Sequence, residues 1–242
     1  MSAARRTLLL LPGLMCDRAV WAAQIETLAT LADCFVPHYG ELDSLSAMAA
    51  QVLRDAPAGP LAVAGHSMGG RVAFEMLRQA PQRIERLALL DTSCHPLPPG
   101  DEGERERAGR HALLELAQTV GMRAMARQWA MGMVHPSRLG TPLFEAVLDM
   151  IERSSPAVFA AQIRALLARP DATGLLGAIR CPTLVLCGRE DTWSPPARHE
   201  FMQAHIAGAR LRVLEHCGHM CTMEQPPAVT DALLDWLDTP PA

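Results

Sequence analysis

The chain alternates short continuous apolar runs with stretches in which apolar residues recur every three or four positions. Residues 7–11 (Thr-Leu-Leu-Leu-Leu) are unbroken and end in Pro12-Gly13, the pattern of a strand buried on both faces. Trp21, Ile25, Leu28 and Leu31 then share one face of a predicted helix that Asp17 can cap. Residues 34–38 are predicted as a second strand. Leu45, Met48, Ala49 and Val52 mark the next helix, with Ser44 as its cap. Beyond the breaker Pro57-Ala58-Gly59-Pro60 come an apolar run at 61–64, a helical stretch at 71–77 that Pro81 stops, and a strand at 86–90 ending in Asp91-Thr92-Ser93. Strands alternating with helices predict an α/β architecture with a mostly parallel, doubly wound sheet. In such sheets chemistry gathers beyond the carboxyl ends of the strands, where Ser67, Asp91 and the Leu14 loop fall.

Between 94 and 173 the alternation stops. Residues 95–100 (His-Pro-Leu-Pro-Pro-Gly) read as a rigid linker, and the segment through Arg110 is densely charged. Helical patterns without intervening strands follow. Leu113, Leu116, Ala117 and Val120 mark one, Met125, Trp129 and Met133 the next, then Phe144, Val147, Leu148 and Ile151, then Phe159, Ile163, Leu166 and Leu167. Strand and helix patterns then return at 183–187, 196–206, 210–214 and 228–237. The expected organisation is a core of residues 1–93 and 174–242 with a helical cap, or lid, of 94–173 inserted over the sheet's carboxyl edge.

Composition narrows the class. The chain has 242 residues, close to half of them apolar, which suits one domain with a sizeable core. A net charge of −4 argues against nucleic acid or an anionic membrane as main partner, and no run approaches membrane-spanning length. Lysine and asparagine are both absent, which reads as the codon bias of a GC-rich, bacterial genome. Arg5-Arg6 before residues 7–11 imitates a secretion signal, but the run is short and Pro12-Gly13 interrupts it, so a core strand is the reading. Seven cysteines without framework spacing point to a reducing cytoplasm. His216, Cys217, His219 and Cys221 imitate a metal cluster but lack a second ligand group with zinc-type spacing. We expect neither metal nor cofactor.

The chemistry centres on Gly65-His66-Ser67-Met68-Gly69, placed between a strand pattern and a helix pattern. Strand, sharp turn and helix together make a nucleophile elbow, in which side chains at 65 or 69 would collide. A serine hydroxyl needs an adjacent base, usually a histidine oriented by a carboxylate. Two later strand-end loops supply those types: residues 188–195 with Glu190 and Asp191, and residues 215–220 with His216 and His219.

Pro12-Gly13 after an early strand, the Gly65–Gly69 elbow, the Gly188–Asp191 loop and Gly218-His219 together resemble the α/β-hydrolase superfamily over nearly the whole chain. The resemblance implies the α/β-hydrolase fold, with Ser67 as nucleophile, His219 as base then acid, and Asp191 orienting His219. It also implies an oxyanion hole from the amides of Leu14 and Met68. Asp91 is the competing candidate for the acid. The family's additional strands before the Pro-Gly strand are missing, which implies a sheet shortened at that edge. Glu190 reads as solvated, and His66 as structural or pocket-lining.

The elbow and the tail from Gly218 to Pro226 look most like small carboxylesterases and enol-lactonases. The expected activity is hydrolysis of small, mainly apolar carboxylic esters or lactones by way of an acyl-serine. A C–C bond hydrolase or lyase with the same triad, and a non-catalytic ligand-binding member, are the alternatives. Candidate pocket residues are Met15, Trp129, Met133, Trp193 and Met220, with core packing an equal reading for the lid methionines Met125 and Met133. A pocket with few charges would favour an uncharged ester.

Overall fold

A computed structural model describes residues 5–240. Among them six strands form one sheet in the order β2-β1-β3-β4-β5-β6, with every neighbouring pair parallel. They are β1 (Arg6–Leu11), β2 (Ala32–Phe35), β3 (Leu61–His66), β4 (Ile84–Leu90), β5 (Thr183–Gly188) and β6 (Arg210–Leu214). In β3 and β5 every residue is buried, so helices must cover both faces. On the N-terminal half α1 (Ala22–Leu28), α2 (Leu45–Asp55) and α3 (Met68–Gln79) follow β1, β2 and β3. Asp17 caps a short 3-10 turn before α1 by accepting from Ala19 N at 2.7 Å, and Ser44 caps α2.

The second strand lies earlier than predicted. β2 pairs only with β1, in a register running from Arg6 opposite Ala32 to Leu9 opposite Phe35. Pro37 has no N–H to extend that ladder, so residues 36–38 are not strand.

Between β4 and β5 lie α4 (Asp101–Thr119), α5 (Met122–Ala130), α6 (Pro142–Glu152), α7 (Pro156–Leu167) and the short α8 (Thr173–Leu176). α4 packs on α5 and α7, and α5 on α6. α4 starts at the charged segment, well before the apolar pattern that suggested it. Asp101, Glu102 and Glu104 in its first turn complement the helix dipole. Glu106 and Arg110 pair one turn apart at 2.8 Å. The helix needs no long apolar stripe, since only Gly103 and Ala117 are fully buried. The chain closes with α9 (Pro196–His205), the one-turn α10 (Cys221–Glu224) and α11 (Pro226–Asp238), which packs on α1. No helix is long and apolar enough to cross a membrane among the described residues.

Candidate active site

Ser67 lies between β3 and α3 with φ 53° and ψ −116°, a strained conformation of the kind stored at functional turns. Two glycines make it possible. A Cβ on Gly65 would lie 2.5 Å from the carbonyl oxygen of Gly69, and one on Gly69 would overlap the backbone carbonyl of Leu11. Ser67 N donates to Leu90 O at 2.9 Å, and Thr92 Oγ1 donates to Ser67 O at 2.7 Å. The elbow is thus tied to the end of β4.

The loop after β6 brings His219 to the serine: Nε2 lies 2.8 Å from Ser67 Oγ, and Nδ1 lies 2.8 Å from Asp191 Oδ2. Asp191 Oδ1 accepts from Trp193 N and Ser194 N, each at 2.9 Å. Burial opposes the charge on Asp191, but His219 and those two amides outweigh it and lower its pKa. Burial also pulls the His219 imidazole down. The carboxylates of Asp191, Asp91 and Glu224 overcome this, so its pKa is raised above the ordinary histidine value.

Asp91 is placed differently. Its Oδ1 accepts from Gly188 N at 3.0 Å and its Oδ2 from Cys221 N at 3.1 Å, so it fastens the ends of β4 and β5 to the loop after His219. Burial, then the nearby Asp191 charge, push its carboxyl up to about 8. His66 is buried, and its Nε2 donates to His219 O at 2.8 Å. Desolvation drives its pKa down to about 3 and keeps the ring neutral.

Three residues not singled out by the sequence reading hold this site in shape. The buried Glu224 accepts from Gly218 N at 3.0 Å, Met220 N at 3.2 Å and His135 N at 2.7 Å, and so joins the His219 loop to the segment after α5. Burial raises its pKa, while those amides pull it back. Gln162 of α7 reaches across to accept from Met15 N at 3.0 Å, which braces the loop after β1. His199 of α9 accepts from Thr92 N at 3.0 Å through Nε2. Only Glu224 left a signal, as part of the tail motif. Glu190, expected in solvent, accepts from Cys217 N at 2.9 Å, because the two strand-end loops lie side by side.

A cavity of about 610 Å³ opens at Ser67, and Leu14, Met68, Trp129, Met133, Trp193 and Met220 line it. Trp129 stacks on Trp193 with ring centres 5.5 Å apart, and Trp193 lies 5.0 Å from the His219 ring. Met15 corrects the expectation. It does not line the cavity; at φ 60° the backbone turns there, and the side chain is buried in the core with its amide given to Gln162. Met125 is fully buried core. The cavity is not poor in charge, because Arg71, Arg105, Arg110, Arg169 and Arg198 also line it. The cysteines of the suspected metal cluster, Cys217 and Cys221, are buried, and burial raises both thiols. A different trio, His135, Glu190 and His216, brings ligand-type atoms within 4.8 Å of one another. There His135 Nδ1 is engaged by Ser137 and Glu190 by Cys217 N.

A hydroxyl, imidazole and carboxylate in hydrogen-bonded series, on an elbow at the carboxyl edge of a parallel sheet, define the class of protein to which this geometry points. The chain belongs to the alpha/beta hydrolase family, whose model matches residues 8–232. It is 28% identical over 231 residues to a pimeloyl-[acyl-carrier protein] methyl ester esterase of Nitrosomonas europaea, covering 88% of each chain. It is likewise 28% identical over 178 residues to a 2-hydroxy-6-oxononadienedioate/2-hydroxy-6-oxononatrienedioate hydrolase of Pseudomonas putida, covering 72% of this chain and 62% of that one. Among solved structures, a thermophilic esterase from Thermogutta terrifontis superposes with a TM-score of 0.84 at 30% identity, covering 96% of this chain and 90% of that one.

Proposed function

We propose that the protein is a serine hydrolase that cleaves small carboxylic esters or lactones through an acyl-serine intermediate. The observation that carries this reading is the unbroken series from Ser67 Oγ through the His219 ring to Asp191, with 2.8 Å at both links. In the reaction Ser67 Oγ attacks the carbonyl carbon while His219 Nε2 takes its proton. Collapse of the tetrahedral intermediate expels the alcohol, which leaves with that proton. Water, activated by the same imidazole, then releases the acid and restores the serine. Asp191 fixes the Nδ1–H tautomer and stabilises the imidazolium that forms. The amides of Leu14 and Met68 serve the oxyanion, and residues 94–173 act as the lid. The apolar wall beside Ser67 supports a mainly apolar group next to the scissile bond, and the two esterase relatives support ester over other chemistry. Seven unpaired cysteines support a reducing, cytoplasmic setting.

The test is a panel of aryl esters of graded acyl length, assayed with wild type and Ser67→Ala. The expected result is a burst of aryl alcohol equal to the enzyme concentration, absent in the variant. Equal slow rates for both proteins on every member would end the esterase reading. The relative that acts on a dienedioate motivates a second reading, C–C bond hydrolysis with the same residues. Its signature is turnover of a dicarbonyl substrate with little ester activity.

A further inference from the structure

The cavity at Ser67 has two chemically different walls, one apolar and one built from arginine. Arg71 comes from α3, Arg105 and Arg110 from α4, Arg169 from the segment after α7, and Arg198 from α9. Five of the chain's 22 basic side chains, in a protein of net charge −4, face one space.

The acids there do not balance them. Glu106 accepts from Arg169 Nη1 and Nη2, each at 2.7 Å, and from Arg110 Nε at 2.9 Å, so its carboxylate is taken. Asp91 also borders the cavity, but its oxygens are held by the amides of Gly188 and Cys221. Arg71 gives Nη1 to His95 O at 2.8 Å and has no carboxylate partner among the described residues. Arg198 has neither a side-chain hydrogen bond nor an ion pair among the described residues, although it is half-buried. Locking of the lid accounts for the Glu106, Arg110 and Arg169 group. It does not account for Arg71 and Arg198. Burial, then the guanidiniums of Arg169 and Arg198, push Arg71 down to about 9. Like charges gathered in a partly enclosed site are unfavourable unless a counter-charge joins them, and such a site concentrates anions.

We propose that this wall is an anion subsite, and that the substrate is an ester or lactone whose remote end carries an oxyanion, carboxylate or phosphate, held by Arg71 and Arg198. The proposal rests on the reading of Ser67 as the acyl-accepting serine. Guanidinium forks match both anions in a bidentate manner. Holding the charged end fixes which carbonyl is presented to the serine, while the apolar wall takes the chain between.

The test compares kcat/KM for monomethyl half-esters of straight dicarboxylic acids with that for methyl esters of monoacids of equal length, and for the same esters ending in phosphate. One charged series should exceed its neutral twin by about tenfold or more, as expected for charge-assisted contacts. Arg198→Gln should cut that preference by about tenfold, and Arg198→Glu should abolish it. Which anion is preferred names the source. Equal values for charged and neutral esters, unmoved by Arg198→Gln, overturn the proposal. A binding arm separates this from failure of the esterase reading. Ser67→Ala protein is titrated calorimetrically with the free dicarboxylates and alkyl phosphates, with and without Arg198→Gln, while an organophosphonate probe reports separately on Ser67. Anion binding that weakens with Arg198→Gln supports the subsite even where no ester is turned over. No binding by either anion overturns it.

Discussion

Replacing Asp191 by asparagine tests the proposed site most sharply, because the structure leaves the amide no harmless orientation. Asp191 Oδ1 accepts from two amides, Trp193 N and Ser194 N, and Oδ2 from the His219 ring. An asparagine that keeps its oxygen on the two amides turns its NH2 group to Nδ1. That favours the tautomer with the proton on Nε2, which then cannot accept a proton from Ser67, 2.8 Å away. The opposite orientation sets the NH2 group against two backbone donors, and each buried donor left unpaired costs about 1–3 kcal/mol. Two amide bonds lost in that orientation, against none in the first, select the first and with it the wrong tautomer. The expected loss is about 10⁴-fold in kcat, or roughly 5 kcal/mol of barrier, with the fold intact. The assay is kcat and kcat/KM on an activated aryl ester across pH, with circular dichroism to verify folding. In wild type the acid limb of kcat/KM should sit above the ordinary histidine value, because His219 is raised, and activity should fall as pH drops through it. If Asp191→Asn stayed within tenfold of wild type while Asp91→Asn lost the activity, Asp91 would be the acid and the assignment refuted.

Three further outcomes follow from the surroundings of the site. His199 is fully buried, and desolvation holds its pKa down to about 4 in place of 6.5; a lowered histidine contributes stability that is present above 6.5 and lost as pH falls toward 4. Wild type should therefore lose about 2 kcal/mol more than His199→Gln between pH 7 and pH 5, and about 3 by pH 4, in urea melts; parallel curves would refute this. Glu224→Gln cannot accept from all three of Gly218, Met220 and His135, and should lower stability by about 2 kcal/mol and reduce kcat with it; an unchanged midpoint and rate would show that the carboxylate is dispensable. Gly69→Ala drives a Cβ into the backbone of Leu11 and Pro12 and should cost at least about 3 kcal/mol or abolish folding, which a thermal melt that matches wild type would contradict.

The parts of this molecule legible in the sequence are those whose signal is local. The strands at 61–66 and 183–188 are buried on both faces, so continuous apolar runs report them. The elbow announces itself because Gly65 and Gly69 answer to sterics within one turn. β2 lies earlier than its own hydrophobicity suggests, because its extent is set by its partner β1. Apolar spacing marks only the second half of α4, because ion pairs and a dipole-matched first turn, not an apolar stripe, carry its charged half.

The same distinction runs through the site. Ser67, Asp191 and His219 sit in short motifs, whereas Asp91, Glu224, Gln162 and His199 work by taking backbone amides from loops remote in sequence. A residue type says that an acceptor exists, but only the fold says which amide it meets. The arginine wall is the extreme case. Its five members lie between positions 71 and 198 on four separate segments, with nothing periodic between them. Arg105 and Arg110 do lie on one helix, but the dense charge of that segment says nothing of which side chains turn to the cavity. Arginines exposed to water on four unrelated elements would carry no meaning. Once folding turns them onto the space beside Ser67, with Glu106 already committed to Arg169 and Arg110, the remaining charge has to be met by whatever enters the cavity.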